Sequence, residues 1–180
     1  CKLTGFFLGH DKKYVGIMHI HSDVSEKKLK EEMKKFTGKI KQLPPKKSRV
    51  KRQERERQIK KFEILEKQNR DVLFLAEVQG GTYIRKLIHD LGEKIGGAHM
   101  TELRRIKASI FTEQDTNFTD LYNFKKAVEE FKTGKEEKLK KILIPADTAI
   151  KRIIPEMQVK KSSAKQLLTG KPIHKEDLEK

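Results

Sequence analysis

Arg85 combines a residue type and a position that together suggest chemistry. Gly80 and Gly81 form a predicted turn, Thr82 is placed to cap the following helix, and Arg85 then falls in its first turn. The partial positive charge at a helix N-terminus disfavours a cation there. Because a cation is unfavourable at this position, its presence there indicates a partner anion close to the guanidinium. The alternative is an ordinary surface arginine at a helix start.

A run of positive charge is the second candidate feature. A Pro-Pro pair fixes the entry to residues 46–57, a strongly basic segment without aromatic side chains. Cations recurring in this way suit a grip on phosphate groups. The candidates for contact with phosphate are Lys51, Arg52, Arg55 and Arg57. The alternative is a solvated face that Glu54 and Glu56 partly neutralise.

The whole chain carries the same excess of positive charge. Its 180 residues include 42 Lys and Arg against 26 Asp and Glu, which gives a formal net charge of +16. Such a surface attracts phosphate polyanions or anionic membranes. A lysine-rich surface of the hyperthermophile kind is the alternative. No apolar run approaches the roughly 20 residues that cross a bilayer, and we therefore favour nucleic acid as the partner.

Composition also argues against other kinds of site. Cys1 is the only cysteine, which excludes a disulfide framework and a thiol cluster for structural zinc. The six histidines lack HExxH or a similar ligand spacing. The first residues lack the features of a signal peptide, and the chain does not begin with Met. We expect a soluble intracellular protein whose natural N-terminus is missing.

The elements that must position these residues mix strands and helices without a strict βαβ rhythm, which predicts an α+β domain. Alternating or β-branched segments predict strands over residues 13–21, 59–65, 71–79 and 103–111. Helical spacing predicts helices after Ser25, after Thr82 and around Leu121, followed by a Lys- and Glu-rich helix that ends before Pro145. Residues 157–180 are predicted to hold a short strand and a helix capped by Ser162.

Four motifs, through their order and spacing along the chain, resemble those of TruB-type pseudouridine synthases. Residues 13–16, Lys-Tyr-Val-Gly, are similar to the strand that carries the family's active-site tyrosine. Residues 81–85 read Gly-Thr-Tyr-Ile-Arg, and residues 98–105 read Ala-His-Met-Thr-Glu-Leu-Arg-Arg, as in that family. Gln-Leu-Pro-Pro at 42–45, with Val-Lys-Arg at 50–52 and the arginines that follow, resembles the archaeal and eukaryotic branch. That branch, the dyskerin family, works with box H/ACA guide RNAs.

The resemblance implies a fold and a site. The fold is the pseudouridine synthase fold, an α+β fold with a mixed, mostly antiparallel sheet flanked by helices. In the family, the residue that matches Tyr14 stacks on the flipped uracil, the residue that matches Arg85 pairs with the catalytic aspartate, and the residue that matches Leu103 lines the base pocket. Arg104 and Arg105 join the basic run in the implied RNA-binding surface. No cofactor and no metal ion is implied.

The family's nucleophilic aspartate is expected just outside the printed sequence. It lies in a Gly-Thr-Leu-Asp-Pro-Lys-Val-Thr-Gly-like motif, and residues 1–5, Cys-Lys-Leu-Thr-Gly, resemble the tail of that motif. We therefore expect the aspartate immediately before Cys1 and expect the 180-residue chain alone to be inactive. By the same resemblance, residues 1–156 form a catalytic domain that is incomplete at its N-terminus. Residues 157–180 form the beginning of a PUA RNA-binding domain.

The implied function is that of the catalytic subunit of a box H/ACA ribonucleoprotein, which isomerises uridine to pseudouridine in rRNA, with tRNA as a second substrate class. The implied partners are the H/ACA guide RNA, the target rRNA, small Nop and Gar proteins and the kink-turn-binding protein of the particle. The alternatives are a stand-alone tRNA pseudouridine synthase and a non-catalytic RNA-binding scaffold without the nucleophile. We expect a cytoplasmic location in an archaeon, which is favoured, and a nucleolar one in a eukaryote.

Overall fold

The chain falls into two compact units, Cys1–Phe118 and Thr119–Lys180. The computed structural model describes residues 3–45 and 50–179. Cys1, Lys2 and residues 46–49 lie outside the described residues, and with them the predicted end of the aspartate motif and the start of the basic segment. The domain boundary predicted after residue 156 stays a prediction. Within the described residues no helix is long and apolar enough to span a membrane.

The first unit is built on one six-stranded sheet. Every strand pairing in it is antiparallel, and the spatial order is β2-β3-β4-β1-β5-β6. The strands are β1 (Lys12–Ile20), β2 (Gly38–Gln42), β3 (Arg55–Gln68), β4 (Asp71–Val78), β5 (Ala98–Ala108) and β6 (Phe111–Thr112). The predicted α+β class is confirmed.

One face of the sheet carries the hydrophobic core. Alternate residues of β4, namely Val72, Phe74, Ala76 and Val78, are fully buried, as the period of two along a strand predicts. Helices α2 (Glu26–Lys35) and α3 (Ile84–Ile95) contribute to this core, and α1 (Thr4–Leu8) precedes β1. Ser25 caps α2 as predicted, because its hydroxyl accepts a hydrogen bond from the amide of Lys28.

Gly16 lets two strands and an aromatic ring approach closely at the centre of the sheet. A Cβ atom at this position would lie 2.7 Å from the carbonyl oxygen of Glu102 and 2.8 Å from Cζ of Phe74. No side chain fits that space without movement of β5 or of the Phe74 ring. Gly16 thereby fixes how β5 lies beside β1.

Two strands differ from their predicted limits. β3 begins at Arg55, so the second half of the basic segment is a strand. Its first residues are polar and lack the apolar alternation that marked residues 59–65, yet their backbone pairs with β2, with Arg55 opposite Gln42. β5 begins at Ala98 and ends at Ala108, before a turn in which Ser109 adopts a φ of 59°. The predicted strand over residues 103–111 was therefore wrong at both ends.

The second unit contains α4 (Leu121–Lys132), α5 (Glu137–Ile142), α6 (Ala146–Lys151) and α7 (Lys161–Leu168). Asp120 caps α4 by accepting from the amide of Asn123. The prediction that Ser162 caps the last helix was wrong, since α7 starts at Lys161, and Lys160, two residues before Ser162, occupies the cap position. The predicted short strand is a single bridge between Val159 and Leu178.

Candidate active site

An open cavity lies where the start of β1 meets the loop between β4 and α3. It has a volume of about 480 Å³, and Tyr14 lines it with a half-buried ring. The other lining residues are Leu8, Gly9, Lys12, Gly80, Gly81, Thr82 and Tyr83. The predicted active-site tyrosine and the Gly-Thr-Tyr sequence, which are far apart along the chain, thus border one space.

Two glycines shape the wall of this cavity. A Cβ atom on Gly80 would lie 2.3 Å from the carbonyl oxygen of Leu8, so the loop packs directly against the segment after α1. Gly81 has a φ of +81°, a conformation that favours glycine. A Cβ atom on Gly81 would also lie 3.2 Å from Nη2 of Arg57. The guanidinium of Arg57 therefore lies against the loop that leads to Arg85.

Thr82 does not cap α3, and that prediction was wrong. Its hydroxyl and its backbone amide both donate to the carbonyl oxygen of Gln79, at 2.7 and 3.3 Å. The N-cap position belongs to Tyr83, whose side chain makes no capping hydrogen bond. The tight turn at Gly80 and Gly81 continues through Thr82, and so the helix starts one residue later than the capping pattern indicates.

The side chain of Gln42 forms hydrogen bonds with both backbone polar groups of Tyr83. Its Nε2 donates to the Tyr83 carbonyl oxygen at 3.3 Å, and its Oε1 accepts from the Tyr83 amide at 3.1 Å. Gln42 is only 2% exposed, at the end of β2. The sequence revealed Gln42 as part of a motif but not as a contact of this loop.

Arg85 occupies the first turn of α3, as predicted. It is exposed, and its guanidinium makes no hydrogen bond or ion pair with any residue that the structure describes. The dipole of a twelve-residue helix disfavours a cation at this end. An unpaired cation that stands two residues after the cavity rim is therefore available for an anion that the described part of the chain does not supply.

Leu103 is not among the described residues that line the Tyr14 cavity. It lies on β5 directly opposite Gly16 and is 39% exposed. It borders a second cavity, whose lining also includes Ile17 and Leu73. Of the three predicted residues, Tyr14 lines the cavity, Arg85 follows its lining residue Tyr83 by two positions along the chain, and Leu103 lies outside the lining. The base-pocket role of Leu103 stays a prediction.

The two adjacent arginines of β5 have different surroundings. Arg105 lies directly opposite Tyr14, and directly opposed residues of an antiparallel pair share a face. Arg104 lies opposite Val15 on the other face, where its Nε forms an ion pair with Glu113 at 2.8 Å. Of this predicted RNA-binding pair, only Arg105 accompanies the candidate active site.

The basic segment separates in a similar way. Lys51 and Arg52 are exposed and lie outside regular structure, whereas Arg55 and Arg57 belong to β3. Arg55 lies opposite Gln42, with its Nε buried and without a hydrogen-bond partner among the described residues. The guanidinium of Arg57 lies against Gly81, and residues two apart on a strand share a face. Both arginines therefore lie on the face of β3 that is turned towards the Gly81 loop.

Lys12 is a site residue that the sequence analysis missed. It lines the cavity beside Tyr14, and its ammonium donates to the carbonyl oxygens of Leu8 and His10. Burial, followed by the neighbouring charge of Arg105, lowers the pKa of Lys12 below its usual value. Its place two residues before Tyr14 was visible in the sequence, but a lysine at a strand start carries no distinguishing pattern.

Family models cover most of the chain. Residues 10–84 match the N-terminal domain of TruB family pseudouridylate synthases, and residues 85–151 match the C-terminal domain of tRNA pseudouridylate synthase B. The probable tRNA pseudouridine synthase B of Korarchaeum cryptofilum is 42% identical over 171 residues, which are 94% of this chain and 52% of the relative. That of Methanococcus aeolicus is 47% identical over 147 residues, 79% of this chain and 43% of the relative. The chain thus spans about half the length of the curated relatives it matches.

Solved structures show the same fold. The crystal structure of a Cbf5-Nop10-Gar1 complex contains a chain that is 37% identical, with a TM-score of 0.85 over 98% of this chain and 54% of that one. The structure of an H/ACA RNP bound to a substrate RNA containing 2′-deoxyuridine gives 34% identity and a TM-score of 0.82, over 98% of this chain and 53% of that one. Agreement in both sequence and backbone along nearly the whole chain leaves one assignment: the protein belongs to the TruB family of pseudouridine synthases.

Proposed function

We propose that this chain forms the core of the catalytic domain of an RNA pseudouridine synthase that works under guide-RNA direction in a box H/ACA particle. The observation that carries the proposal is the arrangement around the cavity. An aromatic ring, Tyr14, faces an open space bordered by a glycine-rich loop, and that loop leads into an exposed arginine without a partner among the described residues, Arg85. This arrangement suits a flipped base stacked on the ring and a carboxylate held by the guanidinium.

The reaction is an isomerisation. The target uridine leaves its stack, at a cost of a few kcal/mol, because C1′ and C5 cannot be reached inside a helix. An aspartate carboxylate forms a covalent bond to C1′ as the bond between N1 and C1′ breaks. The uracil turns, and its C5 bonds to C1′ as the carboxylate leaves. A proton leaves C5 and N1 gains one, so no atom is gained or lost overall. The Tyr14 hydroxyl is proposed to lie near the proton that leaves C5.

Arg85 is proposed to hold the nucleophile ionised and aimed. A carboxylate in a partly dry site drifts towards its neutral form, and a cation beside it lowers its pKa again. The described residues that line the cavity include no carboxylate. We propose that the aspartate directly precedes Cys1 in the complete gene product and that the 180-residue chain alone binds RNA without isomerising it.

The guided reaction and the stand-alone reaction on tRNA are both compatible with the family. The names of the curated relatives favour tRNA as substrate, whereas the solved complexes contain Nop10, Gar1 and H/ACA RNA-protein assemblies. The Gln-Leu-Pro-Pro motif and the basic strand β3 favour the guided reaction here, together with guide RNA, target rRNA and small Nop and Gar proteins as partners.

The test is tritium release from RNA labelled at C5 of uridine. The complete gene product is assayed with guide RNA, target RNA and Nop- and Gar-type partners, and separately with unguided tRNA. Release from the guided target alone supports the proposal, whereas release from tRNA without a guide favours the stand-alone enzyme. RNA binding without release from either substrate would leave the non-catalytic scaffold as the function.

A further inference from the structure

We propose that Gln42 is a positioning residue for Arg85, an inference that rests on the proposed function. Gln42 lies in β2, at the sheet edge, and does not line the Tyr14 cavity among the described residues. Its amide is nevertheless bonded to both backbone polar groups of Tyr83, two residues before Arg85. Gln42 therefore acts on the site through the backbone of the loop.

The two hydrogen bonds fix the point at which α3 begins. The carbonyl oxygen of Tyr83 also accepts the first helical hydrogen bond, from the amide of Leu87 at 3.0 Å. Tyr83 makes no side-chain capping hydrogen bond, and its own backbone amide donates to Gln42. Because Arg85 follows within the same helical turn, the orientation of the Tyr83 peptide groups sets the direction in which the guanidinium leaves the helix.

The strand that carries Gln42, β2, is joined to the rest of the sheet by backbone pairing. β2 pairs with β3, β3 pairs with β4, and β4 leads directly into the loop that Gln42 holds. The hydrogen bonds from Thr82 to Gln79 secure only the first half of that loop. The link between Gln42 and Tyr83 therefore closes a ring that runs from β4 through the loop to β2 and back through β3.

Glutamine suits this position because its amide offers a donor and an acceptor side by side. Methionine has similar length and offers neither, while glutamate keeps the acceptor and loses the donor. Since Gln42 is 2% exposed, water does not readily replace a lost bond, and the Tyr83 backbone groups would be left unsatisfied or would shift to find water.

The test compares Gln42→Met with Ile40→Ala in the complete gene product, assembled with guide RNA and partner proteins. Ile40 lies two residues earlier on β2, packs against the core and has no side-chain group that can hydrogen-bond to Tyr83, so its variant reproduces the general destabilisation of the strand without removing the two hydrogen bonds. We expect Gln42→Met to slow the single-turnover rate at saturating enzyme by about 10- to 100-fold, with RNA affinity unchanged, since small misplacements of this kind carry such costs. A rate no lower than that of Ile40→Ala at equal thermal stability, or a loss confined to affinity, would overturn the proposal.

A double variant tests whether the effect runs through Arg85. If Gln42 only positions that guanidinium, Gln42→Met adds no further loss of rate in an Arg85→Ala background. Two independent, additive losses would overturn the proposal. If Gln42→Met does not fold, Gln42→Glu, which keeps the volume and the acceptor, takes its place in both comparisons. A wild type that releases no tritium counts against the proposed function, whereas an active wild type with a fully active Gln42 variant counts against Gln42 alone.

Discussion

Replacing Arg85 with alanine is expected to remove catalysis while leaving both the fold and RNA binding intact. The structure gives the reason, because the Arg85 side chain is exposed and makes no hydrogen bond or ion pair with the residues described. Its loss therefore breaks no visible contact. Removing a cation from a helix N-terminus relieves an unfavourable interaction of about 0.3–1 kcal/mol, so the free energy of unfolding should stay constant or rise slightly.

The expected loss of rate has two parts. A hydrogen bond between charged groups contributes about 1.5–3 kcal/mol, which corresponds to about 10- to 150-fold in rate when it is made to the nucleophile. A carboxylate that is no longer aimed adds a geometric loss that reaches about 100-fold for a displacement near 1 Å. Together these give a decrease of about 10³- to 10⁴-fold in the single-turnover rate.

The assay measures tritium release and RNA affinity on the same preparations of the complete gene product. Lys94→Ala is the matched control, since Lys94 is an exposed cation in the last turn of the same helix. Arg85→Lys should fall between wild type and Arg85→Ala, because lysine keeps the charge but loses the planar fork. If Arg85→Ala weakens RNA binding while the chemical step keeps its rate, Arg85 belongs to the RNA-binding surface and the argument fails.

Other predictions address the RNA surface, the sheet and the second unit. Replacing Lys51, Arg52, Arg55 and Arg57 together with glutamine should flatten the slope of log affinity against log salt by up to about 3 units, since each phosphate contact contributes about 0.7–0.9; identical slopes in the two salt titrations would show that these residues do not touch phosphate. Gly16→Ala should destabilise the protein by about 1–3 kcal/mol in urea unfolding, because its Cβ would lie 2.7 Å from the Glu102 carbonyl oxygen, whereas Gly5→Ala, with no atom within 4 Å of the added Cβ, should not. Hydrogen bonds from the His174 amide, Ser163 and Lys171 lower the pKa of Asp177, so its contribution to stability is complete above about pH 4 and is lost as the pH falls towards the folded-state pKa. Hydrogen exchange of residues 157–179 measured against pH should show this loss, and in an Asp177→Asn variant the acid dependence should disappear.

The sequence predicted most accurately the helices and strands that bury one face in the core. The periodic apolar residues of α3, from Ile84 to Ile95, marked a helix whose inner face is buried, and the alternation in β4 marked a half-buried strand. In both elements one face packs on the core, so the pattern of side chains records the secondary structure. The strand that carries Tyr14 was predicted for the same reason, since buried residues alternate along the rest of β1.

The sequence could not predict contacts between a side chain and distant backbone. Gln42 recognises the peptide groups of Tyr83, and these groups are the same in every residue type. Arg57 lies against Gly81 because of the register between β3 and β4. The spacing of residues within either strand does not determine that register. Thr82 shows the same limit at short range, because it belongs to the preceding turn, where its hydroxyl and its backbone amide both donate to the carbonyl oxygen of Gln79.

The sequence did not indicate that the basic segment runs into a strand, and the contact of this segment with phosphate stays a prediction. As an irregular segment, residues 54–57 present two arginines and two glutamates whose charges largely cancel. Residues 55–57 begin β3 and alternate between its faces, and Glu54 directly precedes the strand. Glu54 and Glu56 lie on one face, where they pair with Lys41 at 3.8 Å and Lys39 at 3.1 Å. Arg55 and Arg57 lie on the other face, beside the loop that leads to Arg85, and neither forms an ion pair with a carboxylate of the described residues.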